Sequence, residues 1–221
     1  MTLMMEMIAL PNYADINGRP MKKLQIEQYL RKLQLNDFEL TVNLATLTKL
    51  QDAHLKYIPY ENFDCLNGKI TSLKRQDMFN KVIMHNRGGI CFELNGLYNW
   101  LLESLGFDVT SYSARFIDKM ETYQLRRHRV MCVALGDKRY LTDVGVNSES
   151  PRVPLEITEG LIQSDGISQY KFTRSEFWGW LLWQKERGKI WKRLFGFTEE
   201  PQIDKDFITA SFWCDAHPDS P

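Results

Sequence analysis

Apolar residues in the first ninety positions recur at helical spacing. "MKKLQIEQYLRKLQL" (21–35) brings Leu24, Tyr29 and Leu33 toward one face, and "NLATLTKLQDAHLKYI" (43–58) repeats apolar positions at 44, 47, 50 and 55. "RQDMFNKVIMHN" (75–86) reads as a third, short helix. A fourth starts at Cys91, carries Leu94, Leu97, Tyr98, Leu101, Leu102 and Leu105, and stops at Gly106. Beyond Gly106 the period changes. "FDVTSYSARF", "RHRVMCVAL" and "RYLTDVGV" are rich in β-branched and aromatic residues and are separated by turn-like stretches, so they read as strands; "QYKFTR", "EFWGWLLWQ" and "KIWKRLFGF" continue the β region. "DKDFITASFWCDA" (204–216) reads as a further helix. Helices first and strands afterwards is the order of an α+β protein rather than of alternating βαβ units.

With 221 residues, 43% of them hydrophobic, the chain can bury a substantial core as one large domain or two small ones. Lys plus Arg equals Asp plus Glu at 28 each, and no basic run is interleaved with aromatics, which argues against a nucleic-acid partner. The four cysteines, Cys65, Cys91, Cys132 and Cys214, include no C-x-x-C pair. They read as small buried hydrophobes in a reducing compartment, with one reactive exception. "MTLMMEMIAL" is apolar but carries Glu6 and lacks a basic segment, so it is not read as a signal peptide, and no stretch approaches the roughly 20 apolar residues of a membrane span. The expectation is a cytoplasmic protein with neither membrane nor nucleic-acid partner.

The exception lies in "HNRGGICFELNGLYNW" (85–100). A helix beginning at Cys91 puts the sulfur where unpaired backbone N–H groups and the positive end of the helix dipole favour an anion, which lowers a thiol's pKa. Gly88 and Gly89 let the chain turn sharply and leave room for a substrate. A loop-to-helix junction that merely holds a buried cysteine is the alternative. A thiolate nucleophile needs a base, and the base needs a group to orient it. Of the four histidines, His54 falls in a helical pattern, His85 at a helix end and His217 close to the end of the sequence. His128 opens "HRVMCVALGDKRYLTDVG", a hairpin turning at Gly136–Asp137. With a two-residue turn Leu135 faces Lys138, Val130 faces Asp143 and His128 faces Gly145. Asp143 then projects on the face of His128, a diagonal neighbour about 7–8 Å away between backbones. This pairs His128 with Asp143 without bringing Cys91 to them, and a half-buried strand histidine beside a strand-capping aspartate is the other reading. A metal site from His128 and Cys132 lacks further ligands at a suitable spacing.

Beyond these residues, "RGGICFELN" resembles the R-G-G-x-C-x-E-x-N signature of the arylamine N-acetyltransferases. The similarity extends to "IPYENFD", "SARF", "HRVMCVAL", "YLTDVG" and "PLEI", and "DFITASFWCDAHPDS" is similar in degraded form to the family's late D-F-x-x-x-N-x-Y-x-S-T-x-P-x-S segment. The resemblance implies a papain-like cysteine-transferase fold: a helical bundle over 1–106, an antiparallel β-barrel over 107–197, and an incomplete third α/β domain from 198 to 221. It implies Cys91 as nucleophile, His128 as base and Asp143 as orienter, with Glu61 and Asn62 meeting Arg87 in a buried contact that steadies the loop before the cysteine. Tyr60, Gly145, Val146 and Phe212 are the implied substrate or CoA pocket. Acetyl-CoA is the implied co-substrate, with no metal, and the acceptors are arylamines or hydrazines, with O-acetylation of N-hydroxyarylamines alongside.

Departures from the family pattern temper that picture. Val146 stands where a pocket aromatic is common, and Asn147 and Ser148 replace glycines beside the acyl-donor path. Asp215 and Asp219 occupy places of small hydroxyl residues, where carboxylates would repel a CoA phosphate. The family runs on past residue 221, so a catalytically impaired relative is one alternative and a papain-like hydrolase, with water as acceptor, another. Trp178, Trp180, Trp183, Trp191 and Trp213 form a large aromatic surface that either fills the barrel or drives self-association.

Overall fold

The helical region forms where the periodicity places it. In this computed structural model, which describes residues 17–36, 39–117 and 124–220, helix α1 spans Lys23–Lys32, α2 Leu44–Tyr57, the single turn α3 Phe63–Leu66 and α4 Arg75–Phe79. Helix α5, Cys91–Ser104, follows the two glycines. Asn43 caps α2 by accepting the Thr46 N–H at 2.9 Å. The core face of α1 is Tyr29, Leu30 and Leu33, with Ile26 partly buried, whereas Leu24 is 62% exposed. Five residues from Leu24 to Tyr29 is nearly one and a half turns, so the two cannot share a face. Helix α4 does not end as a plain α-helix. It widens into a π-helical turn, Asn80–Met84, closed by His85 N–H to the Asn80 carbonyl at 2.9 Å. Asn86 then takes a left-handed φ of 55°, and Arg87 N–H returns to the Lys81 carbonyl at 3.1 Å. This irregular exit aims the chain at α5.

The β region is one antiparallel sheet of eight strands, β1 Asp108–Phe116, β2 His128–Leu135, β3 Lys138–Thr142, β4 Leu155–Glu156, β5 Gln163–Ser164, β6 Ser168–Ser175, β7 Gly179–Glu186 and β8 Lys192–Gln202. The order is β4-β3-β2-β1-β8-β7-β6-β5. The sheet curls into a nearly closed barrel. Its end strands are joined by the Gln163 carboxamide, which accepts the Glu156 N–H at 2.7 Å and donates to the Glu156 carbonyl at 2.9 Å. Tyr112, Val130, Cys132, Phe172, Trp180 and Phe195 fill the interior. A 3-10 turn, Asp204–Asp206, leads from β8 into helix α6, Phe207–Ala216.

Strand β2 is buried on both faces, because alternate residues serve different neighbours. Val130 and Cys132 point into the barrel, while Met131 and Val133 pack with the helical core around Leu97, Tyr98 and Leu101. Helix α5 is correspondingly buried all round from Cys91 to Leu102. The tryptophans divide likewise. Trp180 joins the barrel core, and Trp183 and Trp191 lie half-buried under the Lys171 ammonium, 5.8 and 4.6 Å from their ring centres. No helix among the described residues is long and apolar enough to cross a membrane.

His54 is fully buried between Tyr29 and Tyr98, with ring centres 6.0 and 5.2 Å away, and neither ring nitrogen has a hydrogen-bond partner among the described residues. Burial lowers its pKa from 6.5 to about 3. The unfolded chain therefore binds a proton in the window from 6.5 to 3 that the folded chain refuses, so stability present above pH 6.5 is lost as the pH falls. Urea unfolding should show wild-type stability falling through this window by up to about 1.4 kcal/mol per pH unit relative to His54→Gln, which has no proton to bind. A stability difference between the two that does not change from pH 7 to pH 4 would contradict the assignment.

Candidate active site

Cys91 is the first residue of α5, and a polar scaffold holds that helix start. The Glu93 carboxylate, only 3% exposed, accepts the Ile90 N–H at 3.0 Å and so caps the helix. Burial pushes the Glu93 carboxyl up, and the Lys81 ammonium, 2.8 and 3.0 Å from its two oxygens, pulls it back. Lys81 also pairs with Asp64 at 3.0 Å, which helps hold that carboxyl down to about 2. Gly88 and Gly89 serve close approach rather than an unusual turn: a Cβ at Gly88 would lie 2.0 Å from the Pro59 carbonyl oxygen, and one at Gly89 2.8 Å from Glu93 Oε2. Arg87 meets Glu61 at 2.8 Å and Asp64 at 3.3 Å, with its own side chain 39% exposed. Asn62 contributes its carbonyl, which accepts the Leu66 N–H at 3.0 Å. The buried ion pair of this loop is thus Lys81–Glu93, supported by a half-exposed Arg87.

The hairpin of β2 and β3 turns at Gly136, whose φ is +64°, in the two-residue register: Leu135 opposes Lys138 and Met131 opposes Thr142. Continued one step, that register sets Val130 against Asp143. His128 and Asp143 are both fully buried, and His128 Nε2–H donates to Asp143 Oδ2 at 2.7 Å. The imidazole lies between Phe116 and Phe195, with ring centres 5.1 and 5.4 Å away. Its Nδ1 is buried without a partner among the described residues.

Asn95, one turn after Cys91 on the same helix face, ties the nucleophile's helix to this pair. Its amide donates to Asp143 Oδ1 at 2.9 Å and to the Arg129 carbonyl at 2.6 Å, and its oxygen accepts the Val144 N–H at 2.9 Å. Gly145 N–H adds a bond to Asp143 Oδ1 at 2.8 Å. Gly145 itself lies so close to α5 that a Cβ there would be 2.8 Å from the Cys91 Cα. Cys91, His128 and Asp143 are therefore drawn to one place by a helix, a strand and the segment after β3.

At that place the Cys91 S–H faces the Arg127 carbonyl, 3.8 Å away. Burial pushes the thiol's pKa up, the thiol of Cys214 and the charge of Asp143 add to it, and the Phe92 N–H and the Arg127 guanidinium pull it back. Cys214 arrives from α6, packed with Phe207 and Phe92. A lone thiolate is disfavoured here.

A cavity of about 450 Å³, lined in part by Tyr60, Phe116, Arg127, Gly145, Val146 and Leu194, opens on this corner. Phe212 lies elsewhere, lining a separate cavity of about 410 Å³ with Ile70, Leu73 and Ile208. Asp215 is already engaged. Its carboxylate accepts the Thr71 N–H at 2.7 Å, the Thr71 hydroxyl at 3.0 Å and the Cys65 thiol at 3.0 Å. The roles of Asn95, Lys81 and Asp64 escaped the sequence reading, although Asn95 stands four residues after Cys91 in a helical pattern, a spacing that signals a shared face.

The N-acetyltransferase family profile matches residues 43–221. An arylamine N-acetyltransferase of Mycolicibacterium smegmatis is 34% identical over 184 residues, which are 80% of this chain and 66% of that protein, so the chain spans just under two thirds of its length. Among solved structures, the arylamine N-acetyltransferase from Salmonella typhimurium superposes with a TM-score of 0.84 at 27% identity, covering 90% of this chain and 72% of that one. The Mycobacterium marinum arylamine N-acetyltransferase in complex with CoA gives a TM-score of 0.82 at 26% identity, over 88% of this chain and 73% of that one.

Asn95→Ala should cost roughly 3 kcal/mol or more, because it leaves a buried N–H and a buried carboxylate short of partners. Asn95→Asp should cost at least as much, since it sets a second carboxylate against Asp143. Thermal and urea unfolding measure both; a loss below about 1 kcal/mol in either variant would mean the three bonds are not what holds α5 to the hairpin.

Proposed function

The chain belongs to the arylamine N-acetyltransferase family, and on that premise we propose that it carries an acetyl group from acetyl-CoA to arylamines and arylhydrazines, and to the oxygen of N-hydroxyarylamines, through an acetyl-cysteine at Cys91. The observation that supports this reading most is the buried His128–Asp143 hydrogen bond of 2.7 Å, which occupies Nε2 and leaves Nδ1 as the proton acceptor at the corner where Cys91 starts its helix. The CoA bound in the Mycobacterium marinum relative supports the choice of donor.

In the first half-reaction the Cys91 proton passes to His128 Nδ1, and the sulfur attacks the thioester carbonyl of the donor. Asp143 fixes the tautomer and stabilises the imidazolium, and the Phe92 N–H at the helix start stabilises the sulfur's charge. Collapse of the tetrahedral intermediate releases CoA, whose sulfur takes the proton from His128. In the second half-reaction the acceptor nitrogen attacks the acetyl-cysteine, His128 removes its proton, and Cys91 leaves with the acetyl group transferred. Glu61, Arg87, Lys81 and Glu93 act as positioning groups that keep the loop and helix start in place. The apolar part of the cavity lining, Phe116, Val146 and Leu194, favours a ring-bearing amine over water as acceptor.

Mass spectrometry after incubation with acetyl-CoA alone should find one added acetyl group on Cys91, absent in Cys91→Ser. Adding an arylamine should discharge it faster than buffer does; discharge by water at the same rate with and without amine would favour a hydrolase. Asp143→Asn should slow acylation by roughly a hundredfold or more. Iodoacetamide should alkylate Cys91 well below the ordinary thiol range near pH 8.5, and His128→Gln should remove that reactivity. Acetyl found on Cys65, Cys132 or Cys214 instead would defeat the assignment.

A further inference from the structure

We infer that the Tyr60 hydroxyl is a catalytic hydrogen-bond donor, holding the negative charge that forms on the carbonyl oxygen when Cys91 exchanges its acyl group. This rests on the transferase reading above and adds one group to the same site.

Tyr60 lines the cavity at the corner where Arg127 and Gly145 approach Cys91. Its backbone is fixed to the segment that leads into the nucleophile. Tyr60 pairs with Gly89 in a parallel bridge, and the Glu61 N–H donates to the Gly89 carbonyl at 3.1 Å. Gly89 and Cys91 are two residues apart, at most about 7 Å of extended chain, which a phenol side chain matches in length. Tyr60 is 38% exposed. Its hydroxyl, the only one on the described cavity lining, has no hydrogen-bond partner among the described residues. Burial holds the phenol above its ordinary value, the thiols of Cys91, Cys214 and Cys65 add to this, and the Arg127 guanidinium pulls it back. The group therefore keeps its proton and stays a donor. Of the three sulfurs that act on it, Cys91 acts most strongly.

Acyl exchange needs such a donor. As the Cys91 sulfur bonds to the acyl carbon, the carbonyl π pair moves onto oxygen. As the intermediate collapses, the pair returns, the bond to the CoA sulfur breaks, and that sulfur takes the proton held by His128. The Phe92 N–H is committed to the Cys91 sulfur. The Cys91 N–H, at the first position of α5, has no intrahelical partner and supplies one donor to the oxygen. A second comes from the cavity wall. There the Lys192 ammonium is paired with Glu149, and the Arg127 side chain is shared between Gln124 and the Cys214 thiol. Tyr60 is uncommitted, and its proton stays on the phenol through both half-reactions.

The test is Tyr60→Phe, which removes only the hydroxyl. Acetylation of Cys91 should slow about a hundredfold at saturating donor, the size of one lost oxyanion donor, with the half-saturating donor concentration little changed. The loss should be as large with 4-nitrophenyl acetate as with acetyl-CoA, because both pass through the same oxyanion. Iodoacetamide alkylates Cys91 by displacing iodide at a saturated carbon and forms no oxyanion, so that rate should match wild type. A loss of acetylation below about threefold overturns the inference. So does a loss confined to acetyl-CoA, which makes Tyr60 a contact to the donor, or an equal loss in alkylation, which makes it a group acting through the thiol. If acetyl-CoA leaves wild-type Cys91 unmodified, the transferase reading fails by itself and the ester decides the hydroxyl: a loss of the stated size supports it, and an unchanged rate overturns it. If neither compound acylates Cys91, there is no acyl exchange to serve and both readings fall.

Discussion

One carboxamide carries the arrangement of the candidate site. A buried carboxylate costs several kcal/mol unless its oxygens are fully hydrogen-bonded, and Asp143 meets that requirement with three donors: His128, Gly145 and Asn95. Asn95 belongs to the helix that begins at Cys91, so satisfying Asp143 also fixes the distance between that helix and the hairpin. Its bonds to the Arg129 carbonyl and the Val144 N–H extend the same constraint to β2 and to the segment after β3. The glycine at 145 follows from it, because elements held this tightly leave no volume for a Cβ between Asn95 and Cys91.

The protein's electrostatics set burial against reactivity. The helix start favours an anion at Cys91, but complete burial outweighs it, and the thiol is held up rather than down. Under the proposed function this is consistent with a proton that passes from sulfur to the His128 imidazole, so that the pair gains no net charge. The Lys81–Glu93 pair beneath the helix start obeys the same rule: two charges enter a low-dielectric region together or not at all.

How much of this could be read in the sequence differs by element. The hairpin register was legible because Gly136–Asp137 specifies a two-residue turn, and the turn fixes every facing pair as far as Asp143. Helix α5 was legible from its apolar run and its stop at Gly106. Leu24 was misplaced, since it satisfies hydrophobicity but not the 3.6-residue period that Ile26, Tyr29, Leu30 and Leu33 satisfy. The π turn at Asn80–Met84 has no local signal in the sequence; it carries Lys81, whose ammonium meets Glu93 in a tertiary contact. Resemblance could assign Phe212 to a pocket and set Asp215 against a CoA phosphate, but could not show that Asp215 is bonded to Thr71 and Cys65, nor that Phe212 faces a different cavity. The two-residue strands β4 and β5 are too short to carry an alternating pattern at all.

Those two short strands make the barrel mechanically uneven. Where β2 is stitched to neighbours on both edges and packed on both faces, the seam between β4 and β5 is bridged by the Gln163 side chain, with the Arg152 N–H on Asp165 and the Gly160 N–H on the Phe172 carbonyl flanking it. Opening that seam breaks a few hydrogen bonds and loosens Leu155 at the edge of one core, whereas displacing β2 would empty two cores at once. An unzipping at that seam leaves both ladders of β2, to β1 and to β3, in place, and with them the strand that carries His128. The closure is a latch, and β2 is a post that its opening leaves standing.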